Sequence, residues 1–284
     1  MIQNNKMILG LAMIALALAV IVSGCTSGNG GATPTPEASP APTAAAKTDL
    51  TVYAAASLTS AFNEIEKSYE EKHGDVNVVY NFDGSQALRT QIEQGARADV
   101  FASASNSHMN ALKNKGLMDN STVKTFTNNK LAVIVPKDNP ANINNLYDLM
   151  KPGVKIVTGT KDVPVGNYTL QILDKMSNNT AYGSDYKDKV MANVVSQETT
   201  VNHVVSKVAL GEADAGFVYV SDVPADYRDR VTVVSIPDEF NVIAVYPIGI
   251  PKDAEHPEMA QSYIDYVMSE EGKEILRQSG FTPV

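Results

Sequence analysis

One cysteine, Cys25, is all that the 284 residues contain. No disulfide can form within the chain, so whatever folds must be held by its apolar core. The same shortage leaves no basis for a thiolate metal site or for cysteine catalysis. Histidine is nearly as scarce: His73, His108, His203 and His256 are scattered, without the HExxH or similar spacing that brings two imidazoles onto one metal. Neither a GxSxG nucleophile elbow nor a GxxxxGK phosphate loop occurs. Positive charge is short as well. Lysine and arginine number 23 against 32 acidic residues, for a net charge of -9, which argues against a nucleic-acid partner and against a polybasic grip on anionic lipid.

What is present begins with Lys6, an apolar run from Met7 to Val22, and "VSGC" ending at Cys25. A positive start, a short apolar stretch and small residues before a processing point read as a secretory signal over residues 1–24, and the run is short for a membrane span. "VSGC" resembles a lipobox, in which Cys25 is diacylated and becomes the new N-terminus. The alternative is a retained anchor helix with an incidental cysteine. Either way, the expected location is outside the cytoplasm and close to the membrane. Residues 25–48 hold this cysteine and a Gly-, Pro-, Thr- and Ala-rich stretch too poor in apolar surface to fold, which reads as a tether. Loss of Lys6, the sole charge in the removed segment, would shift the net charge from -9 to -10. Any anion held by so acidic a protein must be attracted locally.

Residues 49–284 are enough for one large unit or two α/β lobes. "LTVYAAA" (50–56) is a buried-strand pattern, and from Leu58 the apolar residues Leu58, Phe62, Ile65 and Tyr69 share one helical face, placing Ser57 at the helix N-cap. The arrangement recurs in "VNVVYNF" (76–82), a helix from Ser85 with Leu88 and Ile92 inward, strand "ADVFASA" (98–104), and a helix stopped at Gly116. Further on come strand "KLAVIVPK", a helix near "INNLYDLM", strand "VKIVTG", a helix opening in "VPVGNY", and a helix across "TTVNHVVSKVALG". Strands "AGFVYV", "VTVVSIP" and "VIAVYPIGI" follow, then two C-terminal helices. Alternation of this kind predicts an α/β fold with mostly parallel sheets covered on both faces.

In open α/β sheets the ligand crevice lies beyond the carboxyl ends of the strands, where helix N-termini point. The first N–H groups of a helix have no internal partner and carry roughly half a positive charge, so an oxyanion fits there without lysine or arginine. Each junction also has a plain reading. Ser57 and Ser85 can be ordinary caps, but small neighbours, Ala54 to Ala56 and Gly84, would let backbone approach a ligand. "DVPVGNY" is either a turn or a third helix N-terminus offering the amide of Val165 or Gly166. "ETTVN" is either a threonine-capped start or a fourth. Tyr219 is a core, rim or binding tyrosine. Ser57 as a nucleophile lacks a base nearby in sequence, and Glu70-Glu71 and Glu270-Glu271 read as solvated charge.

Taken in order, "AAASLTSAFNEI", "NFDGSQALRTQIEQGARADVFASAS", "DVPVGNY", "GEADAGFVYVSD" and "SEEGKEILRQSGF" resemble the molybdate-binding proteins that feed ATP-driven importers, a group of type II solute-binding proteins. The resemblance runs over nearly all of 49–284. It implies two Rossmann-like lobes with mixed, mostly parallel sheets joined by crossover strands: lobe 1 from 49–132 and 245–284, lobe 2 from 133–244. Molybdate or tungstate would be held in the cleft as its oxyanion, with no metal bound directly by protein and no cofactor. By motif, the ligands would be Ser57, Ser85, Val165, Val201 and Tyr219: serines through hydroxyl and amide, valines through amide, the tyrosine through its phenol. The same resemblance implies a monomer with no enzymatic activity, partnered by an ABC permease and tied to the membrane through Cys25. Two departures stand out. Val165 replaces a common alanine, and Val163 and Val218 stand where a related archaeal group places carboxylate ligands, so a tetrahedral site of uncharged donors is expected, with Asp162 the one nearby acid. Another tetrahedral oxyanion such as sulfate, an exported serine hydrolase using Ser57, or a scaffold lipoprotein are the competing readings.

Overall fold

The computed structural model describes residues 46–223 and 229–284. The expected signal segment, Cys25 and the tether through residue 45 lie outside them. Among the described residues no helix is long and apolar enough to cross a membrane.

The first half of the chain runs β1 (Thr48–Ala55), a 3-10 turn (Ala56–Leu58), α1 (Thr59–Lys72), β2 (Val76–Asp83), α2 (Ser85–Glu93), β3 (Val100–Ala102), α3 (Asn106–Asn114), β4 (Lys124–Asn129) and β5 (Leu131–Pro136). It continues through a 3-10 turn (Leu146–Met150), β6 (Ile156–Gly159), α4 (Pro164–Ser177), α5 (Tyr186–Ala192), β7 (Val194–Glu198), α6 (Val201–Ala209) and β8 (Ala215–Tyr219). A last 3-10 turn (Val220–Asp222) precedes β9 (Val231–Ser235), β10 (Ala244–Gly249), α7 (Pro257–Val267), α8 (Glu270–Gln278) and β11 (Thr282–Pro283). The helical periodicities are realised as burial. Phe62, Ile65 and Tyr69 of α1 and Leu88 and Ile92 of α2 face inward, as do Val201, Val204, Val205 and Val208 of α6.

Six strands form one sheet in the order β11-β4-β10-β3-β1-β2, and five form a second in the order β7-β6-β8-β5-β9. The chain leaves the first sheet at the end of β4, enters the second at Leu131 after the single intervening residue Lys130, and returns between Ser235 and Ala244. We take these two crossings as the limits of the lobes. Asn241 ties them together: its side chain accepts from the Leu131 N–H at 3.1 Å and donates to the Leu131 carbonyl at 2.8 Å. A buried amide with both functions satisfied holds the returning crossing segment against the start of β5.

The two-lobed mixed α/β architecture matches the expectation, while the proportion of parallel pairs does not. β1-β2, β1-β3, β6-β7 and β6-β8 are parallel, whereas β10-β3, β10-β4, β11-β4, β5-β8 and β5-β9 are antiparallel. The reversals arise largely at β4, β5 and β10, which carry the chain between lobes and so run against the βαβ strands they join. β4 ("KTFTNN") escaped the sequence reading because its buried positions include Thr127 and Asn129 rather than an alternating apolar set. The helix expected near "INNLYDLM" is a five-residue 3-10 turn.

Candidate functional site

Four helices begin at the carboxyl ends of four strands, two in each lobe. In lobe 1, β1 leads into the turn before α1, and β2 leads through Gly84 into α2. In lobe 2, β6 leads to α4, and β7 leads through Thr200 to α6. None of the four starts is closed by a side-chain cap. Serines do cap elsewhere: Ser105 accepts from the Ser107 N–H before α3, and Ser269 from the Gly272 N–H before α8.

This corrects the placing of Ser57. It lies inside the 3-10 turn, whose N-cap is Ala55, while Leu58 is the N-cap of α1. Ser85 is likewise the first residue of α2 rather than its cap, which is Gly84. Both serines therefore keep their hydroxyls off their own helix ends and send them across the fold. Ser57 Oγ lies 2.9 Å from the Tyr246 hydroxyl, and Ser85 Oγ accepts the Ala104 N–H at 3.0 Å. In accepting that amide, Ser85 leaves its own proton free to be donated. Ser57 is in the same position when Tyr246 donates to it.

Ser57, Ser85, Val165, Val201 and Tyr219 all line one small cavity between the lobes, with Ala55, Ala56, Gly84 and Ala104 supplying bare backbone on the lobe 1 side. Its volume is about 20 Å³, far below the roughly 300–1,000 Å³ of sites that take organic ligands. Its lining includes no lysine, arginine, aspartate or glutamate. Asp162 is not among the lining residues and presents its backbone carbonyl to His108 instead. Among the described residues no cluster of three His, Cys, Asp or Glu side chains could hold a metal.

Tyr219 ends β8 on the lobe 2 side and is 1% exposed. Its hydroxyl is buried and no protein group meets it at normal hydrogen-bonding geometry, although the Tyr246 hydroxyl stands near enough to help hold its proton; a buried group left this way calls for an explanation, of which a bound ligand is one. Burial, reinforced by the neighbouring Tyr246 and Tyr168, holds its ionisation well above the ordinary phenol range, so it keeps its proton. The residue is anchored from behind: Asp222 accepts the Tyr219 N–H at 2.8 Å. Burial pushes the Asp222 carboxyl up to about 8. Edge-on packing of the Tyr219 ring against Tyr246 (5.8 Å) and Tyr168 (6.5 Å) sets its direction.

Two glycines are required by close approach. A Cβ on Gly84 would stand 2.5 Å from the Thr199 carbonyl of the opposite lobe, and one on Gly166 would stand 2.1 Å from the Thr160 carbonyl. Gly166 thus lets the first turn of α4 sit against the end of β6. Tyr246, which supports Ser57 from 189 residues away, escaped the sequence reading: its strand is legible, but no local pattern links it to the first junction.

Residues 50–282 match the model of the bacterial extracellular solute-binding protein family. The chain belongs to that family. It is 36% identical over 273 residues to the molybdate-binding protein ModA of Mycobacterium tuberculosis, covering 96% of each chain. To a putative ABC transporter substrate-binding lipoprotein, YvgL, of Bacillus subtilis it is 32% identical, covering 94% of this chain and 95% of the relative. Among solved structures, the substrate-binding domain of a putative molybdenum ABC transporter from Clostridium difficile superposes with a TM-score of 0.63 at 30% identity, over 83% of this chain and 99% of that one. Relatives of this kind are solute-binding proteins, and the side chain that meets the Ser57 hydroxyl is a tyrosine, Tyr246.

Proposed function

We propose that this protein captures molybdate or tungstate as the intact tetrahedral dianion between its lobes, and that it does so while anchored through Cys25 outside the cell. The observation that carries the reading is a buried, unpartnered Tyr219 hydroxyl beside four uncapped helix N-termini in a cavity without formal charge. Ser57 and Ser85 donate through hydroxyl and amide, Val165 and Val201 through their amides, and Tyr219 through its phenol. Each hydrogen bond to a charged group contributes about 1.5–3 kcal/mol. Because the donors are divided between lobes, the complete set exists only when the cleft is shut, so the anion selects the closed form. That closed form is what an ABC permease receives.

Uncharged donors also explain how selection by size arises. A cationic site would hold any dianion, whereas fixed amides and hydroxyls reward the tetrahedron whose oxygens reach them. Sulfate carries the same charge on a smaller frame and leaves some donors short. Isothermal titration calorimetry with molybdate, tungstate, sulfate and phosphate tests the proposal. Tight binding of the first two, with melting temperature rising with their concentration, is expected. Tighter binding of sulfate would reassign the ligand, and no heat or thermal shift with any of the four would remove the function.

A further inference from the structure

Behind the cavity stands a tyrosine that does not line it. Tyr246 is fully buried in β10 and is absent from the residues around the anion space. The strand pairing with β4 slips between Tyr246 and Pro247, and a bulge of this kind re-aims a side chain out of the regular ladder. Edge-on contacts with Phe126, Tyr219 and Phe281, at 6.4, 5.8 and 5.5 Å, hold the ring in place. Its hydroxyl meets the Ser57 hydroxyl at 2.9 Å, a contact in which either oxygen is able to donate.

The ligand end decides the direction. A fully deprotonated dianion only accepts, so a Ser57 proton directed at it is no longer available to Tyr246. The 2.9 Å contact must then be donated by Tyr246. With its own proton spent, Tyr246 can only accept from any further partner, and Asn129 at the end of β4 offers a group that only donates. The Asn129 amide is 2% exposed, and its orientation is set by its neighbours. Oδ1 accepts the Lys130 N–H at 2.9 Å, while Nδ2 donates to Ser221 Oγ at 2.8 Å and has a second hydrogen to give. The amide also reaches Tyr246: burial, and Asp222 after it, raise the Tyr246 ionisation, and hydrogen bonding with Ser57 and with Asn129 opposes them.

We propose that Asn129, Tyr246 and Ser57 form a one-way relay of hydrogen-bond donors, in which Tyr246 is the positioning residue that keeps the Ser57 proton turned toward the anion. The proposal deepens the reading of the cavity as an oxyanion site and rests on it. Each link polarises the next, so a neutral amide that never touches the anion strengthens the grip of Ser57 without adding formal charge. The relay also gives a reason for tyrosine at a position where a phenylalanine ring would fill the same space.

A double-variant cycle tests the relay, with molybdate calorimetry on the soluble protein as the readout. Tyr246→Phe keeps the ring and its packing and removes the central link. Affinity should fall about five- to tenfold, the usual worth of one neutral hydrogen bond. Ser57→Ala removes the only member of the relay that lines the cavity. In that background Tyr246→Phe should cost less than about twofold, because no serine proton is left to direct. In a Ser85→Ala background it should cost the full factor, since Ser85 takes its support from the Ala104 N–H instead. A role confined to packing would weaken binding by the same factor in all three backgrounds and overturn the relay, as would a change of less than about twofold in wild type. Wild type silent toward molybdate would overturn the ligand and the relay together, whereas tight binding with additive losses would overturn the relay alone.

Discussion

Removing one oxygen atom offers the sharpest test of the site. Tyr219→Phe keeps the ring, its packing against Tyr246 and Tyr168 and the Tyr219 amide bond to Asp222, and deletes only the unpartnered hydroxyl. A hydrogen bond from a buried donor to a charged acceptor is worth about 1.5–3 kcal/mol, which corresponds to a loss of affinity of roughly 10- to 150-fold. The hydroxyl has no protein partner to lose, so the ligand-free variant should melt at the wild-type temperature or slightly above it. Calorimetry with molybdate measures the first effect and differential scanning fluorimetry without ligand the second. An affinity within a factor of two of wild type would refute the reasoning, because it would mean the hydroxyl does not meet the anion. So would a large drop in melting temperature, which would give the hydroxyl a structural bond instead.

Other perturbations separate the remaining donors. Val201→Pro deletes a single amide at the first position of α6, where proline is tolerated, and the preceding Thr200 already has the extended φ of -140° and ψ of 154° that proline requires. Molybdate affinity should fall tenfold or more, with Val201→Ala close to wild type as the control; equal binding by both would exclude the amide. Gly84→Ala meets no dihedral penalty, since φ is -59° and ψ 137°, but its methyl meets the Thr199 carbonyl across the cleft. It should weaken binding at least tenfold at nearly unchanged stability, and an unaffected dissociation constant would show that the lobes need not approach so closely. The Ser57→Ala, Ser85→Ala double variant should lose most affinity while each lost internal bond costs about 1 kcal/mol of stability; retained affinity would take both serines out of the site.

Local pattern made much of the framework legible. A strand ending in "AAAS" and another ending in "DGS", each followed by helical spacing, locate two helix N-termini, and "VPVGNY" and "ETTVN" locate two more. Nothing in such a pattern says whether a serine caps its own helix or faces away from it. Ser57 and Ser85 turn out to do the latter, and the difference depends on Tyr246 and Ala104, which reach them only in the folded chain. β4 stayed hidden because two of its buried positions, Thr127 and Asn129, are themselves polar.

By itself the sequence determined the class of the fold and the short-range junctions, because these follow from periodicity and turn chemistry within a few residues. Only the tertiary structure decided that donors from positions 57, 85, 165, 201 and 219 line one cavity of about 20 Å³, that the Tyr219 hydroxyl is left without a protein partner, and that His108 meets Asp162 across the cleft. Those facts depend on how two sheets joined by crossing strands lean toward each other, and contacts between residues so far apart leave no periodic trace in the chain.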